Sequence, residues 1–310
     1  MSPLDRVLLV ANQKGGVGKS TTCANLATES ARRGMRVLLI DADQQGNLST
    51  ADLGVDSDGG AGLAKALQYG DPLRAVSTGR SNLSIVTGGR DLGPIGMIAA
   101  ASQVPIAQNL RTQLARLCEQ QRYDLVLIDS GPGDVPLLDA LLQTARYLIV
   151  PTRMDQGSLD GVAHLADRYL YARRLGAQIE LLGAVLFGVN PRATARNSAV
   201  LAEVTAMLEG AAEPFTATIR AADAAAIDMR NRHVDAAELV EATRRHKTSR
   251  LARLHKGGNG AAAAPEEALW SRDAIAGSLA SDYRTLTDEV LTRLAAAELT
   301  EAESTRQDAG

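Results

Sequence analysis

Aromatic residues make up only 3% of this 310-residue chain, with one Trp and two Phe. Recognition by stacking needs rings spaced along a groove, so base stacking is excluded as a main mode of binding. There are two cysteines, Cys23 and Cys118, far apart and without C-x-x-C spacing. They predict neither a metal site nor a disulfide framework and read as reduced residues within helices. No apolar run approaches the roughly 20 residues that span a bilayer, and no signal-peptide apolar stretch follows Met1 to Arg6. The expectation is a cytoplasmic protein without membrane contact. A net charge of −3 excludes a strongly basic protein, so nucleic-acid contact would need a local patch. Lysine is scarce as well, five against 28 arginines. Two of the five, Lys14 and Lys19, share one short stretch. A compact ammonium enters a tight phosphate cradle that a guanidinium would overfill.

That stretch is Asn12-Gln13-Lys14-Gly15-Gly16-Val17-Gly18-Lys19-Ser20-Thr21. It follows the apolar run Val7–Val10 and opens a segment of helical periodicity, so it reads as strand, glycine loop, helix. Glycines let successive N–H groups turn inward around a phosphate, and the helix N-terminus adds partial positive charge. A lysine reaches the β- and γ-phosphates, and the hydroxyl after it ligates Mg²⁺. Gly18-Lys19-Ser20 match the end of the pattern G-x-x-x-x-G-K-[ST]. Its first glycine position holds Gln13, and an extra lysine, Lys14, follows.

Further along, Arg36–Ile40 is a continuous apolar run, expected of a strand buried on both faces. It ends in Asp41-Ala42-Asp43-Gln44-Gln45-Gly46-Asn47. In a parallel α/β sheet the carboxyl edge is where ligands bind, so one carboxylate is placed near Mg²⁺ and the other near an attacking water; a solvated turn is the alternative. Leu83–Thr87 is a short strand closed by Gly88-Gly89, and residues 105–120 form a helix with Ile106, Leu110, Leu114 and Leu117 on one face. Tyr123–Asp129 ends four apolar residues in a carboxylate, the Walker B pattern. Tyr147–Val150 and Leu181–Val189 are further strands, with a helix from after Gly157 to Arg174 between them. A helix over 198–208 and a short strand at Phe215–Ile219 follow. Asn190 sits at a strand's carboxyl end, where its amide pairs with an adenine edge or merely turns the chain before Pro191. The alternation predicts a mostly parallel sheet covered by helices on both sides, a three-layer α/β/α fold.

Together these motifs resemble the deviant Walker A motif ATPases of the ParA/MinD family, nearest to ParA-like (Soj-like) partitioning proteins. Lys14–Thr21 resembles the deviant Walker A motif, Asp41–Asn47 the family's D-x-D-x-Q-G-N, and Asp129 its Walker B aspartate. The resemblance runs from about Val7 to Ile219, and a helix from Leu279 looks like the family's last one. It implies a P-loop NTPase fold, ATP and Mg²⁺ as cofactors, and an ATP-sandwich homodimer. Lys14, Gly15, Gly16, Val17, Gly18, Lys19, Ser20 and Thr21 would then bind nucleotide, with Asn190 and Pro191 at the adenine. Lys19 would serve its own nucleotide and Lys14 the partner subunit's. Ser20, Asp41 and Asp129 would hold Mg²⁺, and Asp43 would position water. Ser130-Gly131-Pro132-Gly133 departs from the family's x-Pro-Pro, and the family's basic stretch after the last strand is missing beyond Arg220.

Arg244, Arg245, Lys247, Arg250, Arg253 and Lys256 form a basic run that either binds DNA phosphates without reading sequence or is a solvated helix face. The expected organisation is one ATPase domain (1–240 with 272–297), a basic insert and linker (241–271), and an acidic, disordered tail (298–310). The function this implies is ATP-dependent DNA partitioning at the nucleoid, with non-specific double-stranded DNA and a ParB-like activator as partners. A MinD-like positioning ATPase is the alternative, weakened by the acidic tail. An iron–sulfur reductase with the same loop would need interface cysteines.

Overall fold

The computed structural model describes residues 2–207, 211–255 and 269–308. Eight strands form one sheet in the order β3-β4-β2-β5-β1-β6-β7-β8. They are β1 (Val7–Val10), β2 (Val37–Ala42), β3 (Val76–Ser77), β4 (Leu83–Val86), β5 (Leu125–Ser130), β6 (Tyr147–Thr152), β7 (Glu180–Val189) and β8 (Ile219–Arg220). All neighbours run parallel except the short edge strand β3, which pairs antiparallel with β4. The helices are α1 (Lys19–Arg32), α2 (Ala61–Tyr69), α3 (Ile95–Ser102), α4 (Ile106–Gln121), α5 (Val135–Thr144), α6 (Gln156–Arg174), α7 (Thr194–Met207), α8 (Asp223–Arg232), α9 (Ala236–His255) and α10 (Asp273–Asp308).

Strand side chains alternate between faces, and this divides the core in two. Val7, Leu9, Leu38, Ile40, Val126 and Ile128 enter one apolar cluster with α2, α4, α5 and α6. Leu8, Val10, Val37, Leu39, Leu125 and Leu127 enter the other, with α1, α8, α9 and α10. A strand covered on both sides has no polar face to show, which is why these runs are continuously apolar. Polar residues begin where the strands end, at Asp41 and Asp129. The chain moves from β1 outward to β2 and β4, returns through β5, then continues to β6 and β7 on the other side. This reversal sets a crevice at the carboxyl ends of β1, β2 and β5.

Several segments differ from the sequence expectation. Helix α5 lies where no element was expected. Asp134 caps it, accepting from the Leu137 N–H at 3.0 Å, with Pro136 in its first turn. Helix α6 begins before Gly157 because Asp155 is its cap. Ile219–Arg220 is the last strand, while Phe215 upstream makes a single ladder-like bond from its N–H to the Ala184 carbonyl. The expected boundary at residue 240 falls inside α9, anchored by buried Leu239. The segment after 298, expected to be disordered, is helical to Asp308. It continues a run without Gly or Pro, rich in good helix formers, and Glu298 pairs with Arg6 beneath β1. Lys256 and most of the expected linker lie outside the described residues.

Candidate functional site

Residues 11–18 leave β1 and wrap toward α1. Asn12, fully buried, holds the turn: its Nδ2 donates to the Pro151 carbonyl at 2.9 Å and its Oδ1 accepts from the Lys14 N–H at 3.0 Å. Gly18 has φ +90, a region open to glycine at no steric cost. A Cβ there would also lie 2.3 Å from the Phe187 ring. The loop rests on α6 through two further glycines, one turn apart. A Cβ at Gly161 would be 2.4 Å from Asn12 Oδ1, and one at Gly157 would be 3.3 Å from Lys14 Nζ. The i, i+4 glycine spacing in α6 was a readable signal that the sequence reading did not use.

The two lysines have opposite environments. Lys19 is 6% exposed and donates from Nζ to the Lys14 carbonyl at 2.9 Å. Burial lowers its pKa, while the charges of Asp129 and Asp43 hold it up. Lys14 is exposed, and its Nζ lies over the start of α6, 3.3 Å from where a Cβ at Gly157 would stand. Its charge contributes to depressing the Asp155 carboxyl, after Ser158, which is the larger cause.

Asp41 and Asp129 are register neighbours at the ends of β2 and β5, both fully buried. Burial raises the Asp41 pKa to about 6, against its hydrogen bonds and with the neighbouring Asp43 charge. Burial and the Asp41 charge push Asp129 well above the usual carboxylate range, with Ser20 and Lys19 opposing. Their hydrogen bonding separates them. Asp41 accepts from Ser49 N–H at 2.9 Å, Ser49 Oγ at 2.7 Å and Asp43 N–H at 3.2 Å. Neither oxygen of Asp129 has a hydrogen-bond partner of standard geometry. A buried bare carboxylate is costly unless something binds it. Ser49, which also accepts from the Gly88 N–H at 3.2 Å, is a site residue the sequence reading missed.

Asp43 is 6% exposed. Its Oδ1 accepts from the Gln45 N–H at 2.9 Å. Gly131 packs on it so closely that a Cβ would lie 3.0 Å from Oδ1. The unexpected glycine after Asp129 therefore gives Asp43 its room. A small cavity of about 20 Å³ borders Asp43, Gln44, Ser130 and Gly131 on one side and Leu92, Leu137, Leu138 and Leu141 on the other. Gly133 donates its N–H to Gln13 Oε1 at 2.9 Å, so the residue in place of the pattern's first glycine ties the phosphate loop to the loop after β5.

The donor set fits a divalent cation only in company with a nucleotide. Among the described residues no three His, Cys, Asp or Glu side chains converge as a ligand group. Ser20 and the two bare Asp129 oxygens would hold a small share of a Mg²⁺ shell, and phosphate oxygens and water the rest. Asp41, with its lone pairs engaged by Ser49 and Asp43, is the less available carboxylate.

The remaining expected residues stand at the end of β7 and on α9. Asn190 and Pro191 are exposed at the end of β7. Asn190 Oδ1 accepts from the Arg192 N–H at 3.0 Å, a turn contact. The β7 residue that packs against Gly18 is Phe187. Arg244, Arg245 and Lys247 are exposed on α9, with Arg244 3.7 Å from Asp273. The side chains of Arg250 and Arg253 lie outside the described residues. Arg220 is paired with Asp282 at 2.6 Å.

A family model described as an AAA domain matches residues 5–174. The chromosome-partitioning ATPase Soj of Thermus thermophilus is 36% identical over 182 residues, 58% of this chain and 68% of that protein. The structure of apo McdA from Cyanothece superposes with a TM-score of 0.65 at 22% identity, over 76% of this chain and 92% of that one. A cobyrinic acid a,c-diamide synthase from Mycobacterium smegmatis, solved with an ATP analogue and magnesium, gives 0.60 at 27% identity, over 70% and 88%.

Proposed function

The chain belongs to the ParA/MinD family of P-loop ATPases, close to its ParA-like partitioning members, and from that premise we propose that it is an ATP-dependent DNA-partitioning dimer. The observation that carries this reading is the division of labour between the two lysines. Lys19 is buried at the head of α1, where a phosphate would meet both the ammonium and the helix N-terminus. Lys14 is exposed over the start of α6, available to a nucleotide held by a second copy.

In this reading Lys19 and the N–H groups of residues 15–21 bind and orient the triphosphate. Magnesium supplies charge neutralisation when bound, with Ser20 and Asp129 as its protein-side ligands. Asp43, at the carboxyl end of β2, orients the attacking water and accepts its proton. The partner's Lys14 adds positive charge to the transferred phosphoryl group, so hydrolysis is slow until two chains close. ATP then acts as a timer for an oligomeric state that holds non-specific DNA, reset by a ParB-like activator. Because Arg220 is held by Asp282, the DNA-contacting charge is assigned to α9, at Arg244, Arg245, Lys247, Arg250 and Arg253.

Retention of double-stranded DNA is to be measured with ATP, with ADP and without nucleotide. Retention with ATP alone supports the carrier role. Equal retention in all three states, or none in any, contradicts it.

A further inference from the structure

Arg153 directly follows β6 and reaches across the top of the phosphate loop. Its Nη1 lies 3.5 Å from the Gly16 carbonyl, and its guanidinium carbon sits 5.9 Å from the centre of the Phe187 ring. That ring in turn packs on Gly18. At Gly188, φ +70, a Cβ would stand 2.7 Å from Arg153 Nη2, so the chain keeps glycine where the guanidinium passes. Loop, ring and guanidinium are thus one packed unit at the mouth of the phosphate cradle.

Among the described residues the unit has no counter-charge. Five arginines of comparable half-burial elsewhere meet a carboxylate: Arg80 with Glu238, Arg146 with Glu180, Arg168 with Asp139, Arg220 with Asp282 and Arg293 with Glu289. Arg153 has no acidic partner among the described residues. Asp155, two residues on, caps α6 by accepting from Ser158 N–H at 3.0 Å and Oγ at 2.7 Å. A half-buried guanidinium set against a carbonyl and over a ring keeps further N–H donors for an anion. The planar fork of an arginine matches phosphate oxygens in pairs.

We infer that Arg153 is a third basic residue of the nucleotide site, binding the polyphosphate of ATP alongside Lys19 and seated by Phe187. The inference rests on the nucleotide-site reading of residues 14–21. Phosphates of a DNA backbone share the chemistry, but the guanidinium lies on the phosphate loop itself, which favours the nucleotide.

The test is equilibrium binding of a fluorescent ATP analogue to the full chain, wild type against Arg153→Ala, Arg153→Gln and Arg153→Lys, at several salt concentrations. Circular dichroism confirms that each variant is folded. The expected result is a roughly 10-fold weaker Kd in the alanine and glutamine variants, a flatter salt dependence, and partial recovery in the lysine variant. Unchanged affinity in folded Arg153→Ala would overturn the inference, as would unchanged affinity accompanied by weaker DNA retention. Lys19→Ala separates the two levels. If wild type binds and Lys19→Ala does not, the nucleotide reading stands whatever Arg153 does. If wild type itself does not bind, both fall.

Discussion

The carboxyl edge of the sheet and the helical layer of α8, α9 and α10 contain the same kinds of charged residue, used in opposite ways. In the helical layer the buried and half-buried charges are closed, while Arg244, Arg245 and Lys247 of α9 stay exposed. Arg220 forks onto both oxygens of Asp282 at 2.6 and 2.7 Å, and Arg80 meets Glu238 at 2.9 and 3.0 Å. Asp228 accepts the N–H groups of Trp270 and Ser271 at 3.1 and 2.7 Å. At the sheet edge charges are open. Asp129 is bare, Lys19 rests on a carbonyl, Lys14 is exposed, and Arg153 has no counter-charge among the described residues. Groups that hold the fold have completed their hydrogen bonds within it; groups left open await a ligand.

Substitutions in each region distinguish open charges from closed ones. The largest effect is expected at Lys19. Lys19→Ala should weaken ATP binding by roughly 100-fold or more, measured by titration, because it removes the buried charge that meets the phosphates. Next is Arg220→Ala, which leaves Asp282 half-paired and should cost about 2 kcal/mol in denaturant unfolding while nucleotide affinity stays unchanged. A loss of DNA retention without a loss of stability would instead make Arg220 an open charge. Asp129→Asn should raise the stability of the nucleotide-free protein by about 1 kcal/mol, since a desolvated carboxylate beside Asp41 is removed, and should depress magnesium-dependent hydrolysis. A destabilised Asp129→Asn would show that this carboxylate is structural.

The smallest effect is on pH dependence. Burial pushes the Glu289 carboxyl up, but the N–H groups of Thr216 and Ala217, the Thr216 hydroxyl and Arg293 outweigh it and lower the pKa. A depressed folded pKa contributes stability that is present above the unfolded value and lost as pH falls through the folded one. Glu289→Gln should therefore lower the midpoint of thermal unfolding at neutral pH and flatten its decline below about pH 4.5. An unaltered acid limb would remove Glu289 from the closed set.

The sheet was legible because a doubly covered strand announces itself in a few residues: Val37–Ile40 and Leu125–Ile128 are apolar throughout and stop at Asp41 and Asp129. The loop at Lys14–Thr21 was legible because its chemistry is local, with glycines and lysine within one turn. The missing parts of the site are long-range. Ser49 meets Asp41 across eight residues, Gly131 meets Asp43 from another strand, and Arg153 and Phe187 reach Gly16 and Gly18 from two more. No short pattern encodes such meetings. Past 298 the acidic composition of α10 predicts disorder, but its helical run is uninterrupted by Gly or Pro and continues to Asp308.

In the proposed dimer one ATP site needs two chains, with Lys14 acting on the partner subunit's nucleotide and Asp43 on its own. Mixing the Lys14→Ala and Asp43→Ala variants, each expected to bind ATP but hydrolyse it poorly, tests this directly. A mixed dimer would contain one site with both groups intact, so ATPase activity should reappear on mixing and peak near equal proportions. A mixture no more active than the sum of its two components would contradict it.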